Sequence, residues 1–297
     1  MSLLHSLTSL WKDPPPALAF ELSEAGIAMA RTGKTPEFDF RPLDAGVISV
    51  SPLRDNILDP DKFAGAVRAL VPQNGSRKRR NAALILPDAC ARVWVLDFDD
   101  FPSDAAEQLS LVRFRMKKSL PYDVESAALS YHAQEPAGKK KKYDVVVAVA
   151  PMDIISRYEA PFKALAIETG FVTTSALAAL DLVNDTGTIA VAKLSGRMLT
   201  ILVLSSGVLK LVRSLELAEP AVAEIAADLY PTFVYIEDQL GAKAEKLLLA
   251  GFGRFGAEAR DQFSRELHLP VELMHAGVGV AGDNNLGLLG YLQSFAA

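Results

Sequence analysis

The sequence predicts an α/β protein of two lobes with mixed sheets, and three observations point there. Both halves open alike, with a strand, a tight turn and a returning strand, followed by alternation of helix and strand. Half of the 297 residues are hydrophobic and 23% are charged, so each half has the material for a buried core. No stretch approaches the roughly 18 apolar residues that would span a bilayer.

The first sixteen residues stand apart from that pattern. Leu3, Leu4, Leu7, Leu10 and Trp11 fall on one face at helical spacing, and Pro14, Pro15 and Pro16 then stop the helix. Such a segment either packs on the body of the protein or docks on a partner or a membrane surface. It has no basic start and no unbroken apolar centre, which sets it apart from a secretory signal.

The first lobe, over 17–185, begins with strands at 17–20 and 26–31 around a turn at Ser23 and Glu24. A helix over 61–70 follows, with Asp59 or Asp61 near its start. A basic loop containing Arg77, Lys78, Arg79 and Arg80 leads to buried strands at 82–86 and 93–98. Ser103 can cap the next helix, with Asp104 and Glu107 in its first turn and Arg113, Arg115, Lys117 and Lys118 at its far end. Strands at 127–134 and 144–150 flank a loop with four lysines, 139–142. A long helix over 153–169 ends at Gly170, the residue type favoured at a helix C-terminus. The segment of about 91–150 reads as a small inserted αβ subdomain.

The second lobe, over 186–297, repeats the opening. Strands at 188–194 and 199–204 flank a turn at Ser195 and Gly196, and a further turn at Ser206 and Gly207 leads into a strand at 208–215. A helix over 220–240 contains Pro231, which should kink it. A strand at 246–250, a turn through Gly251, Phe252 and Gly253, a helix over 257–267 and a final helix over 286–295 close the chain.

Composition excludes more than it selects. A net charge of −5 argues against broad attraction to nucleic acid, and the two basic runs lie in loops without interleaved aromatics. The single cysteine, Cys90, rules out an internal disulfide, fits a reducing compartment, and sits beside an apolar run as a buried small hydrophobe would. Four scattered histidines offer no metal-ligand spacing. The phosphate loop, the nucleophile elbow and the dinucleotide fingerprint are all missing. The residues thus single out no catalytic group, no metal site and no resident cofactor.

Three segments taken together resemble the PilM family, the cytoplasmic actin-like components of type IV pilus assembly. They are AEQLSLVRFRMKKSLPYDVESAALSYHAQ at 106–134, DVVVAVAPMDIISRYEAPFKALAIETGF at 144–171 and KLLLAGFGRFGAEARDQFSRELHLPVEL at 246–273. The resemblance implies an actin-like two-lobed fold with mixed β-sheets, RNase H-like subdomains and an inserted αβ subdomain. Actin-like proteins hold ATP between their lobes, on turns whose backbone N–H groups reach the phosphates. The matching positions here are Ser23 and Gly26, Ser195 and Gly196, and Gly251 and Gly253, and each turn departs from the family pattern. Glu24 would face the phosphates and repel them. Lys193 stands in place of an acidic residue suited to magnesium, and Met198 and Leu199 replace small polar side chains. Phe252 falls where an adenine would need room. The expectation is a protein without ATP hydrolysis.

The family's task would then be a scaffolding one at the inner face of the cytoplasmic membrane. It implies binding of the cytoplasmic tail of a bitopic partner resembling PilN, with a link to the pilus motor ATPases and no nucleic acid. Arg113, Phe114, Lys117, Leu120, Pro121 and Tyr122 are the candidates for that partner surface, apolar anchors taking the tail and bases fixing its register. Two other readings stay open at this point. One is a working ATPase whose nucleotide state controls partner binding. The other is an adaptor like GspL of type II secretion or FtsA of cell division.

Overall fold

The structure is a computed structural model that describes residues 16–33, 35–71, 80–134 and 142–295. The patterned segment 1–13 and most of the two basic runs lie outside the described residues. Two five-stranded sheets share one plan. The first contains β1 (Leu18–Leu22), β2 (Gly26–Arg31), β3 (Glu37–Pro42), β4 (Arg80–Leu86) and β8 (Ile167–Thr174), in the order β3-β2-β1-β4-β8. The second contains β9 (Thr188–Ser195), β10 (Met198–Ser205), β11 (Val208–Glu216), β12 (Lys246–Ala250) and β13 (Val271–Leu273), in the order β11-β10-β9-β12-β13. In each, three strands form an antiparallel meander and two more add parallel to its first strand.

Alternation along the strands gives each sheet two apolar faces. Leu18, Phe20, Leu22, Ile27 and Met29 face α1 (Pro60–Leu70) and α3 (Met152–Ala164), with Phe20 packed edge-on against Phe162 at 4.9 Å. Asp59 caps α1 by accepting from Lys62 N at 3.0 Å. In the second lobe Ala192, Leu194, Leu199 and Ile201 face α5 (Val222–Leu240) and α6 (Gly256–Leu267).

The inner faces meet two helices that serve both lobes. In α7 (Leu286–Gln293), Leu288, Tyr291 and Leu292 join the core under the first sheet, while Leu286 and Leu289 join the core under the second. A helix buried on both sides must be apolar all round, as this one is. It crosses α4 (Ser175–Ala179) so closely that a Cβ at Gly290 would strike the Ala178 carbonyl oxygen.

The inserted subdomain is a three-stranded antiparallel sheet, β5 (Arg92–Phe98), β7 (Tyr143–Pro151) and β6 (Ala127–Ala133), with α2 (Ala105–Met116) on one face. Val145, Val147 and Val149 point to Val112 and Met116 of α2, whereas Val146 joins the core of the second lobe. The insertion therefore touches both lobes. Among the described residues no helix is long and apolar enough to cross a membrane.

Several sequence expectations are corrected. The helix expected over 153–169 ends at Ala164, and Ala166 turns the chain at φ 55° into β8. Gly170 is no cap; it is the extra residue of a β-bulge, skipped where Ala82 pairs with Thr169 and Ala83 with Phe171. Asp104 rather than Ser103 caps α2, accepting from Ala106 N and Glu107 N at 3.0 Å. The sequence pattern does not single out the outer strands, β3 because it is exposed along its length and β13 because it is three residues long.

Candidate functional site

Three turns converge where the lobes face one another. The first joins β1 to β2 and closes on itself, Ser23 N donating to Gly26 O at 2.9 Å and Gly26 N to Ser23 Oγ at 3.1 Å. The backbone N–H groups of Ser23 and Gly26 are thus both used within the turn. Gly26 is needed for packing: a Cβ there would lie 2.6 Å from the Phe40 ring. Glu24 stands at the tip, accepting from Val50 N at 2.8 Å, with its other oxygen against Gly196 of the opposing turn.

The second turn joins β9 to β10 through Gly196 and Arg197, between the paired residues Ser195 and Met198. Gly196 takes φ +58°, which the tight turn requires. Arg197 faces away from the cleft, donating Nε–H to Leu217 O at 2.9 Å, so its guanidinium is engaged at the end of β11.

The third turn follows β12. Gly251 adopts φ +72° and lies against the Leu194 carbonyl, and Gly253 lies against the Asp283 carboxylate. Phe252 does not enter the cleft, contrary to expectation. It is buried in the second lobe, edge-on to Phe263 at 6.1 Å. The positive φ of Gly251 turns the chain, so the side chain after it points back into the core. A concavity of about 400 Å³ lies between β2, β3 and the segment 282–285; it is flanked by Phe38, Phe40, Asp39 and Asp283 and lined by no base.

Deeper in the cleft lies a polar cluster that sequence reasoning missed in part. Lys193 Nζ of β9 is 2.8 Å from Asp88 Oδ2, which sits in the short 3-10 turn Asp88–Cys90 after β4. Their side chains are only 6% and 3% exposed. Asp88 also accepts from Ala176 N at 2.6 Å, at the start of α4. Glu21 accepts from the Ser175 hydroxyl and from Leu288 N at 2.7 Å in the first turn of α7. Burial pushes the Glu21 carboxyl above the usual carboxylate range, and the nearby Lys193 charge offsets part of that rise. One signal was legible: a lone lysine inside the apolar run Ile189–Leu194 demands a buried acid. Which acid was not.

The candidate partner residues divide. Arg113 and Phe114 on α2, with Lys117 capping its C-terminus, line a groove of about 340 Å³ that also involves Asp123, Val124 and Glu125. Phe114 is 74% exposed. Arg113 Nη1 lies 3.2 Å from Glu125 Oε2, while its Nε is buried without a partner. Leu120 and Tyr122 pack instead against the subdomain core, and Pro121 is exposed between them. Among the described residues no group of three or more His, Cys, Asp or Glu is placed to hold a metal ion.

No family model matches the sequence, and no curated protein matches it. Solved structures do. The chain is similar to a chain of the PilM–PilN type IV pilus biogenesis complex, with a TM-score of 0.75 and 15% identity over 93% of this chain and 97% of that one. It is also similar to a Bacteroides thetaiotaomicron protein with an actin-like ATPase fold and unknown function, with a TM-score of 0.57 and 13% identity over 93% and 94%. The cytoplasmic domain of EpsL, an inner-membrane component of the Vibrio cholerae type II secretion system, gives 0.49 at 13% identity over 94% of both chains. The fold is the actin-like one that the sequence implied.

Proposed function

We propose that this actin-like chain is a cytoplasmic scaffold of a type IV pilus or related assembly machine, holding the cytoplasmic tail of a bitopic inner-membrane protein without hydrolysing ATP. The observation that carries it is the groove on the inserted subdomain. There a large aromatic stands 74% exposed beside Arg113 and Lys117, a pattern that stability does not call for and that an apolar, acidic tail would cover. The likeness to a protein found in a complex with PilN supports a partner of that kind. The reading divides the chain into a tethered segment 1–16, a first lobe 17–185 with its insertion at about 91–150, and a second lobe 186–297. It places the protein at the inner face of the cytoplasmic membrane, within reach of the motor ATPases.

The nucleotide side of the reading rests on charge. A phosphate chain between the turns would meet the Glu24 carboxylate at the tip of the first and the Asp283 carboxylate beside the third, and a magnesium ion would meet the Lys193 ammonium. The turn donors at Ser23 and Gly26 are spent on one another.

Two titrations test this. Calorimetry with Mg-ATP up to millimolar concentration is expected to give no heat of binding. Micromolar binding would make the protein a nucleotide-dependent switch. A fluorescent peptide of the candidate membrane partner's cytoplasmic tail is expected to bind, and to lose at least tenfold in affinity when Arg113 and Lys117 are both changed to Glu. Intact binding to that variant would remove the groove from the reading.

A further inference from the structure

The deepest charge in the cleft comes from one lobe and its counter-charges come from the other. Lys193 lies on the second sheet, between Ala192 and Leu194 in the stretch Ile189–Leu194, which is otherwise buried and apolar. Asp88 and Glu21 both belong to the first sheet or its exit, and both are anchored by the shared helices, Asp88 through Ala176 N and Glu21 through Leu288 N. Neither carboxylate can turn away from the lysine without giving up those bonds. A buried ammonium with fixed counter-charges resists separation, because opening the lobes would leave each charge without its partner.

A second latch joins the inserted subdomain to the same lobe. The Gln134 side-chain amide pairs with the Leu209 backbone in both directions, Nε2 donating to the carbonyl oxygen and Oε1 accepting from the N–H, each at 2.8 Å. One residue on, Lys210 pairs with Asp144 of β7. The insertion thus continues the backbone bonding of β11, and it cannot follow one lobe without pulling on the other.

We propose that Lys193 acts as a tethered cation that holds the two lobes closed on one another, and that this closure fixes the inserted subdomain in one position without any bound nucleotide. The inference rests on the cleft working without nucleotide, and it explains how a scaffold of this fold could keep one geometry at all times. Closure is then a property of the folded chain, and the groove on α2 is presented permanently. The pair does at the cleft what a bound ion would do, with no exchange with solution.

The test needs neither nucleotide nor partner, so its outcome is separate from that of the titrations above. Lys193→Met keeps the length of the side chain and removes the charge, but it strands Asp88. The double variant Lys193→Met with Asp88→Asn removes both charges and is the one expected to fold well. In that variant, hydrogen exchange in the turns at 23–26 and 194–197 and around 207–210 is expected to rise at least tenfold, while the centres of β1 and β9 keep their protection. The one cysteine gives the control. The Cys90 thiol is buried beside Asn56 and Tyr158 in the core of the first lobe, away from the cleft, so its alkylation at pH 8 is expected to stay within twofold of wild type in the double variant. Exchange at those turns within twofold of wild type in a cooperatively folding double variant would overturn the proposal, since the lobes would then be held by packing alone; tenfold faster alkylation would overturn it too, since the first lobe itself would then have loosened.

Discussion

The cleft between the lobes and the groove on α2 are built on opposite principles. In the cleft, the charged groups of Glu21, Asp88 and Lys193 all have partners inside the molecule, and the tip carboxylate of Glu24 is bonded across to Val50. In the groove, Phe114 faces solvent, and Arg113 spends one nitrogen on an exposed carboxylate while another is buried with no acceptor. A site whose polar atoms are satisfied from within has little to gain from a ligand. A site with exposed apolar area and exposed bases gains when a partner covers the one and pairs with the other. In this chain the cleft between the lobes is of the first kind and a surface of the insertion is of the second.

That contrast predicts where stability is concentrated. Asp88→Ala removes the acid bonded to Lys193 and leaves the ammonium without a hydrogen-bonded carboxylate in a buried strand. Equilibrium unfolding in urea is expected to show a loss of about 3–5 kcal/mol, the usual cost of stranding a buried charge. A loss below about 1 kcal/mol would mean that water reaches the ammonium and that the cleft is not the closed environment described here.

The groove is expected to behave in the opposite way. Phe114→Ala should leave unfolding free energy within about 0.5 kcal/mol of wild type, as exposed substitutions do. The same variant should bind the partner tail at least tenfold more weakly, read by fluorescence anisotropy, because an exposed aromatic anchor is where such interfaces concentrate their energy. A variant that is destabilised and still binds normally would make Phe114 a structural residue and erase the distinction.

How far these sites were legible in the sequence follows from the range of the interactions. The paired hairpins were readable because a two-residue turn between apolar strands is a local signal, and Gly196 and Ser195 sit where that signal put them. The groove was half readable. Arg113, Phe114 and Lys117 share one helix face, which spacing gives, whereas Leu120 and Tyr122 fold back into the core after the helix ends. The Asp88–Lys193 pair joins residues 105 apart in sequence, and no local pattern names one as the partner of the other. Phe252 and Gly170 depart from the sequence expectation for a shared reason. A positive φ at Gly251 and a bulge at Gly170 each break the regular period on which side-chain direction is inferred.

The finest test of the contrast is a change of charge state rather than of shape. The fold raises the Glu21 carboxyl above the usual carboxylate range, chiefly through burial. A carboxyl raised in the folded state is favoured there in its neutral form, so its contribution to stability declines as pH climbs from about 4.5 through the folded value. Glu21→Gln keeps an oxygen to accept from Leu288 N and cannot ionise. Its melting temperature is therefore expected to match wild type at pH 4 and to exceed it at pH 7.5, with the gap opening between those values. The gap should be small, because the variant also loses the attraction between Glu21 and Lys193. A variant that is instead less stable at pH 7.5 would show that this attraction outweighs the cost of burial, and that the ammonium serves Glu21 as much as Asp88.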